Sequence, residues 1–189
     1  QAAPEKGAND PAPSFGHIRA EQVGAVLRIT LNRPEARNAM SLQMVAELQQ
    51  ALQAAEATAG SEGAVRVVVL RGAGGHFCAG ADLKDMAGAR MRSMQREAGA
   101  PDPIAEVNAA FGRLCVAYAQ TPLAVVAVLE GTVMGGGFGL ACVADVALAD
   151  DSASFRLPET SLGVVPAQIA PFLVERLGYS QAKRLAVTG

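Results

Sequence analysis

Three stretches of the sequence carry residue types that could stabilise a negative charge and move a proton. Residues 130–144 read EGTVMGGGFGLACVA and follow an apolar run at 123–129 that has the pattern of a buried strand. The glycines Gly135, Gly136 and Gly137 separate that run from a helix-like segment at 138–143. A turn without β-carbons lets another group approach the backbone closely. It also opens a helix whose first N–H groups have no partner inside the helix. Such a turn can hold an anion, or a charge that develops during a reaction; the ordinary alternative is tight packing. A second apolar run, 67–70, ends in Gly72-Ala73-Gly74-Gly75 and leads through 76–80 into Ala81-Asp82-Leu83-Lys84, which reads as a helix start. Two strand–glycine–helix junctions can aim two N–H groups at one point, the arrangement of an oxyanion hole. The third stretch holds Glu159, next to Pro158 and bracketed by apolar residues, where a carboxyl group could act as acid or base. The alternative for Glu159 is a surface loop carboxylate.

The elements that must position these groups follow from pattern. Residues 17–22 and 25–31 read as a hairpin about Val23-Gly24. Ser41 is an expected N-cap for a helix in which Leu42, Val45, Leu48, Leu52 and Ala55 recur at helical spacing, with a stop at Gly60. A strand is expected at 65–71. Residues 82–94 read as a polar, Arg-rich helix before a Gly/Pro break at 97–103, a region that could cover a pocket or simply be a surface insertion. Ile104, Val107, Phe111, Leu114 and Tyr118 mark an amphipathic helix. Short strands are expected at 145–149 and 154–156, a helix at 167–177 with Pro171 in its first turn, and a last helix at 181–187 capped by Ser180. Alternating strands and helices indicate an α/β layered domain with a largely parallel sheet.

The chain has 189 residues, enough for one domain. Half of its residues are hydrophobic, 4% are aromatic and 18% are charged, so small residues dominate the core and some apolar surface is left for a partner. A net charge of −2 without a basic block argues against nucleic acid. No apolar run reaches membrane-spanning length. Cys78, Cys115 and Cys142 lie in apolar contexts without metal-ligand spacing and read as reduced core residues of a cytoplasmic protein. Two histidines exclude a His-rich metal site, and no metal is expected. Residues 1–14, rich in Ala, Pro and Gly, read as a disordered tail, leaving 15–189 as the folded core. The chain begins with Gln and stops soon after a helix, so it is expected to be part of a longer protein.

The segments GGHFCAGADL, GTVMGGGFGLACVADVALAD and FRLPETSLGVVPA, together with RPEARNAM at 33–40, resemble the enoyl-CoA hydratase/isomerase (crotonase) family over residues 23–178. The resemblance implies a crotonase-like spiral of ββα units with largely parallel sheets and flanking helices, and a C-terminal helical part that would lie beyond residue 189. It implies an acyl-CoA thioester as substrate, with coenzyme A belonging to the substrate and no separate cofactor. It also implies a homotrimer or a dimer of trimers. By motif position, the oxyanion donors are the main-chain N–H groups of Ala81 and Gly136, and the acid/base is Glu159. The coenzyme A contacts fall on Arg33, Ala36, Ala79, Gly80, Ala81, Asp82, Leu83, Lys84, Gly135 and Gly136. For Arg33 and Lys84 the role would be to meet phosphates, against the alternative of ordinary surface charge.

In one respect the chain departs from the family's common pattern. A typical hydratase of this family faces its substrate with two glutamates; here the first falls at Gly139 and only Glu159 remains. Asp145 is expected to anchor a strand end rather than replace it. A lone glutamate can shift a proton between two carbons, or can serve hydration if another group, including a carboxylate on the substrate, holds the water. GGGFGLAC with LPETSLGVVPAQIAPFLVERLG is similar to glutaconyl-CoA hydratases, in particular isohexenylglutaconyl-CoA hydratases of acyclic-terpene breakdown. Hydration of a branched glutaconyl-type thioester is therefore the first expectation, double-bond isomerisation the second, and a non-catalytic protein of the same fold the third. Gln168 is a candidate contact to such a substrate or a helix-start cap.

Overall fold

A computed structural model of the chain describes residues 14–189. The expected tail therefore lies outside the described residues except for Ser14. Strands β1 (Ile18–Val23) and β2 (Val26–Leu31) form the expected hairpin, with Val23 opposite Val26 across Gly24-Ala25. Three further strands, β3 (Val67–Gly72), β4 (Ala124–Leu129) and β6 (Val146–Ala149), add to β2 in parallel, giving the order β1-β2-β3-β4-β6. A second sheet pairs β5 (Thr132–Met134) with β7 (Ser154–Arg156), also in parallel. Strand β5 lies between the expected strand at 123–129 and the glycine turn, in residues to which the pattern assigns no element. Its three residues are too few for a periodic signal, and pairing with β7 is what makes it a strand.

Parallel neighbours require crossovers, and the helices supply them. Helix α1 (Leu42–Glu56) connects β2 to β3, and Ser41 Oγ caps it by accepting from the Met44 N–H at 3.0 Å. Helices α2 (Leu83–Gln95) and α3 (Pro103–Gln120) lie between β3 and β4, each with an Asp at its N-cap. The short helix α4 (Gly136–Cys142) follows β5, and α5 (Ala170–Leu177) and α6 (Tyr179–Thr188) complete the described chain. Helix α5 starts three residues later than its pattern suggests, with Pro171 in its first turn as expected. Ser180 does not cap α6; the N-cap is Gly178, and Ser180 lies inside the first turn.

Strands β3 and β4 are buried on one face only, not on both as their unbroken apolar runs suggest. Val68, Leu70, Val125 and Ala127 are fully buried, whereas Val67, Val69, Val126 and Val128 are half-buried. The buried set joins one core with Met44, Leu48 and Leu52 of α1 and Leu114, Cys115 and Tyr118 of α3. The buried Tyr118 hydroxyl donates to the Leu48 carbonyl at 2.9 Å, tying α3 to α1. Among the described residues no helix is long and apolar enough to cross a membrane.

Candidate active site

The two glycine turns lie side by side because the segments that lead into them pair. The N–H groups of Phe77 and Cys78 donate to the carbonyls of Glu130 and Thr132 at 2.8 and 2.9 Å, and Met134 N–H returns to Cys78 O at 2.9 Å. Residues 77–80 thereby run parallel to 130–135, with a bridge at Cys78 and Val133. At the end of this run the turns touch. A β-carbon placed on Gly80 would lie 3.2 Å from the Met134 carbonyl oxygen, and one on Gly135 would lie 3.7 Å from the Gly80 Cα. Both residues also have positive φ, +93° and +50°, which side chains seldom tolerate.

Ala81 stands next in line, exposed. It does not open a helix, as its sequence context suggests. Asp82 is the N-cap of α2, and Ala81 is held in a bridge with Met40: Met40 N–H donates to Gly80 O at 2.7 Å and Asp82 N–H to Met40 O at 3.0 Å. Met40 thus occupies the backbone groups on either side of Ala81, and the Ala81 N–H points the other way, without a partner among the described residues. Gly136 is the first residue of α4; its N–H likewise has no partner, whereas Gly135 N–H is used by Arg156 O at 3.0 Å. The Phe111 ring lies across Gly136, with Cζ 3.1 Å from the point a β-carbon would occupy.

Glu159 projects from a 3-10 turn, Pro158–Leu162, onto this junction. Its Oε1 is 2.9 Å from the position of a β-carbon on Gly135. Its Oε2 is buried without a hydrogen-bond partner. Burial raises the carboxyl above the usual carboxylate range, against a smaller opposite pull from its own backbone N–H. A desolvated carboxyl with a vacant oxygen is poised to take up or release a proton.

The other side of the site is closed. Any side chain on Gly139 would meet Ile169, whose Cβ lies 2.7 Å from the position of a β-carbon there. Asp145 is a strand anchor as expected: its Oδ2 accepts from Val125 N–H at 2.7 Å, and its own N–H donates to Val125 O. Gln168 turns its amide to α3, where its Cδ lies 3.0 Å from the position of a β-carbon on Gly112.

The remaining candidates lie on the segment around Ala81 and on the turn that pairs with it, where Ala79 N–H donates to Arg37 O at 3.0 Å. Ala36 ends a 3-10 turn, Pro34–Ala36, Ala79 is half-buried, and Leu83 and Lys84 are exposed in the first turn of α2. Arg33 is not a free cation. Its Nη1 donates to Asp82 Oδ2 at 2.8 Å and to Ala39 O at 2.7 Å. Burial works against the Asp82 charge, but the Arg33 guanidinium and the N–H groups of Asp85 and Lys84 hold the carboxyl below its ordinary range. Sequence reasoning missed Asn38 and Ile169. Asn38 is fully buried, accepts from Arg33 N–H at 2.9 Å and donates to Ala73 O and His76 O at 2.9 and 2.7 Å. An Asn inside a Pro-containing turn is a weak signal for such a role; Ile169 gave none. Cys78 packs on Gly137 in the core, and burial pushes its thiol up to about 12.

Two unbonded amides on neighbouring turns therefore lie beside a carboxyl with one buried, vacant oxygen, on a largely parallel α/β scaffold. The chain belongs to the enoyl-CoA hydratase/isomerase family, whose sequence profile matches residues 21–189. Its fold is the crotonase-like α/β fold. It is 53% identical to an enoyl-CoA hydratase/isomerase from Marinobacter aquaeolei, with a TM-score of 0.83 over 92% of this chain and 63% of that one. The same figures describe its likeness to AtuE of Pseudomonas aeruginosa. A mevalonyl-coenzyme A hydratase of Beauveria bassiana is 38% identical over 87% of this chain and 57% of its own length. The chain therefore spans less than two thirds of the length of each of these relatives.

Proposed function

We propose that the chain forms the catalytic core of a hydro-lyase that adds water to an α,β-unsaturated acyl-CoA, a branched glutaconyl-type thioester of the isohexenylglutaconyl-CoA kind. The observation that carries this reading is the unpartnered Glu159 Oε2, buried beside the contact between the Gly80 and Gly135 turns. In this reading the substrate's own carboxylate holds the water. Glu159 takes a proton from that water as its oxygen bonds to the β-carbon. The electron pair of the double bond moves toward the thioester oxygen, where the Ala81 and Gly136 N–H groups meet it. Glu159 then returns the proton to the α-carbon, so water is added and nothing else is consumed. Charge grows on the thioester oxygen only during reaction, so each donor lowers the barrier, typically by about 3 kcal/mol. Coenzyme A enters with the substrate, and the working assembly is a homotrimer or a dimer of trimers.

Ile169 over Gly139 favours one second reading, an isomerase in which Glu159 alone carries a proton between two carbons. A panel of acyl-CoA thioesters that includes branched glutaconyl chains separates the two. A mass gain of one water, with a 3-hydroxyacyl product, supports the hydratase. An unchanged mass with a moved double bond supports the isomerase, and unchanged substrate throughout overturns both.

A further inference from the structure

Arg33, Asp82 and residues 37–40 form a connected network that neither proposed reaction step uses. Arg37 and Asn38 both have left-handed backbone, φ +48° and +57°, an arrangement that ordinary residues keep only when their surroundings impose it. Here the surroundings do: Asn38 spans Arg33 N–H, Ala73 O and His76 O, and the turn ends with Met40 paired to both neighbours of Ala81. One guanidinium nitrogen of Arg33 then joins the two strands of that pairing. It donates to Ala39 O on one strand and to Asp82 Oδ2 on the other, while Asp82 Oδ1 accepts from Lys84 and Asp85 N–H and fixes the start of α2. The Arg33 and Asp82 side chains are 17% and 9% exposed, so the pair works out of bulk solvent.

We infer that the Arg33–Asp82 pair is a positioning device that sets the direction of the Ala81 N–H, and that Arg33 does not serve as a phosphate contact. The inference rests on the proposed role of Ala81 as an oxyanion donor. The reason is geometric. Met40 fixes the 80–81 peptide, which carries the Ala81 N–H, through Gly80 O, and the following peptide through Asp82 N–H. Those bonds hold their register only while residues 39 and 82 stay cross-linked. A misplaced donor costs rate without much cost in ground-state binding, and an error near 1 Å is worth about 10²-fold.

The test compares Arg33→Ala and Asp82→Asn in the full chain, each on an acyl-CoA and on the matching acyl-pantetheine thioester, which has no nucleotide. Asp82→Asn keeps the capping oxygen and the volume, so it remains informative should Arg33→Ala fail to fold. The expected result is a kcat loss of about 10²-fold on both substrates, with KM changed less than about threefold. A loss confined to the KM for the CoA thioester, or an unchanged kcat, overturns the inference. Hydrogen exchange at the Asp82 amide, followed by NMR, reads the clamp without turnover. Exchange at least about tenfold faster in Asp82→Asn, with Val125 unchanged, supports it, and equal exchange overturns it. If the wild type turns over no thioester, the proposed function fails while this measurement still decides the clamp.

Discussion

At Glu159 a carboxyl oxygen is buried with no partner; at Gly139 the place of a side chain is filled by the hydrocarbon of Ile169. Both positions flank the same pair of glycine turns, and both come from loops or short elements rather than from the sheet. The difference lies in what burial does to each. Around Glu159 it removes water from a titratable group and leaves that group hungry for a proton or a donor. Around Ile169 it satisfies apolar surface and leaves nothing to react. A site of this kind offers a titratable side chain on one side only; in the hydratase proposed above, the substrate's own carboxylate holds the water.

Four predictions test that contrast. The largest effect is expected for Glu159→Gln, which keeps the shape and removes proton transfer: kcat for the turned-over thioester should fall by about 10³-fold. Turnover at the wild-type rate would strip Glu159 of its role.

Next comes Gly139→Glu. It forces a side chain into the space of Ile169 and should destabilise the fold by about 1–3 kcal/mol, read as a lower denaturant midpoint. Adding Ile169→Ala should restore part of that loss; no loss in the single variant would mean the closed side is open.

Titration gives a third measure. The folded Glu159 carboxyl lies above its ordinary value of 4.5, so its contribution to stability is fully present below that pH and is lost as pH rises through the folded pKa. Wild type should therefore lose stability relative to Glu159→Gln as the pH is raised from 4.5. The reverse trend would show that the carboxylate is better satisfied than its surroundings allow.

The smallest effect on the site is expected from Glu47, a buried carboxylate of the opposite kind. Burial opposes its charge, but Gln43 and the N–H groups of Gly16, His17 and Ile18 outweigh that and hold it below 4.5. Its stabilisation is present above 4.5 and is lost as pH falls through the folded pKa. Glu47→Gln should flatten the acid limb of the stability curve while kcat at neutral pH stays within about twofold, since surface and core changes away from a site seldom touch its chemistry. An unchanged acid limb would refute the assignment.

Local chemistry made much of this legible from the chain alone. Ser41 caps α1 because its oxygen meets a free N–H three residues on, an interaction contained in the sequence neighbourhood. The hairpin at Gly24, the amphipathic α3 and the Pro158-Glu159 turn are likewise set by neighbours within one or two turns of chain. Other features needed the fold. Ala81 looked like a helix start, but its amide is freed by Met40, some forty residues away in the chain. Arg33 looked like a free cation until Asp82 was brought to it, and Gly139 looked merely empty until Ile169 arrived from the N-cap of α5, thirty residues on. Spacing and residue type fix which groups can donate, accept or bend. Which of them are left unpaired at one point in space is decided by long-range packing, because only packing removes the water that would otherwise satisfy them all.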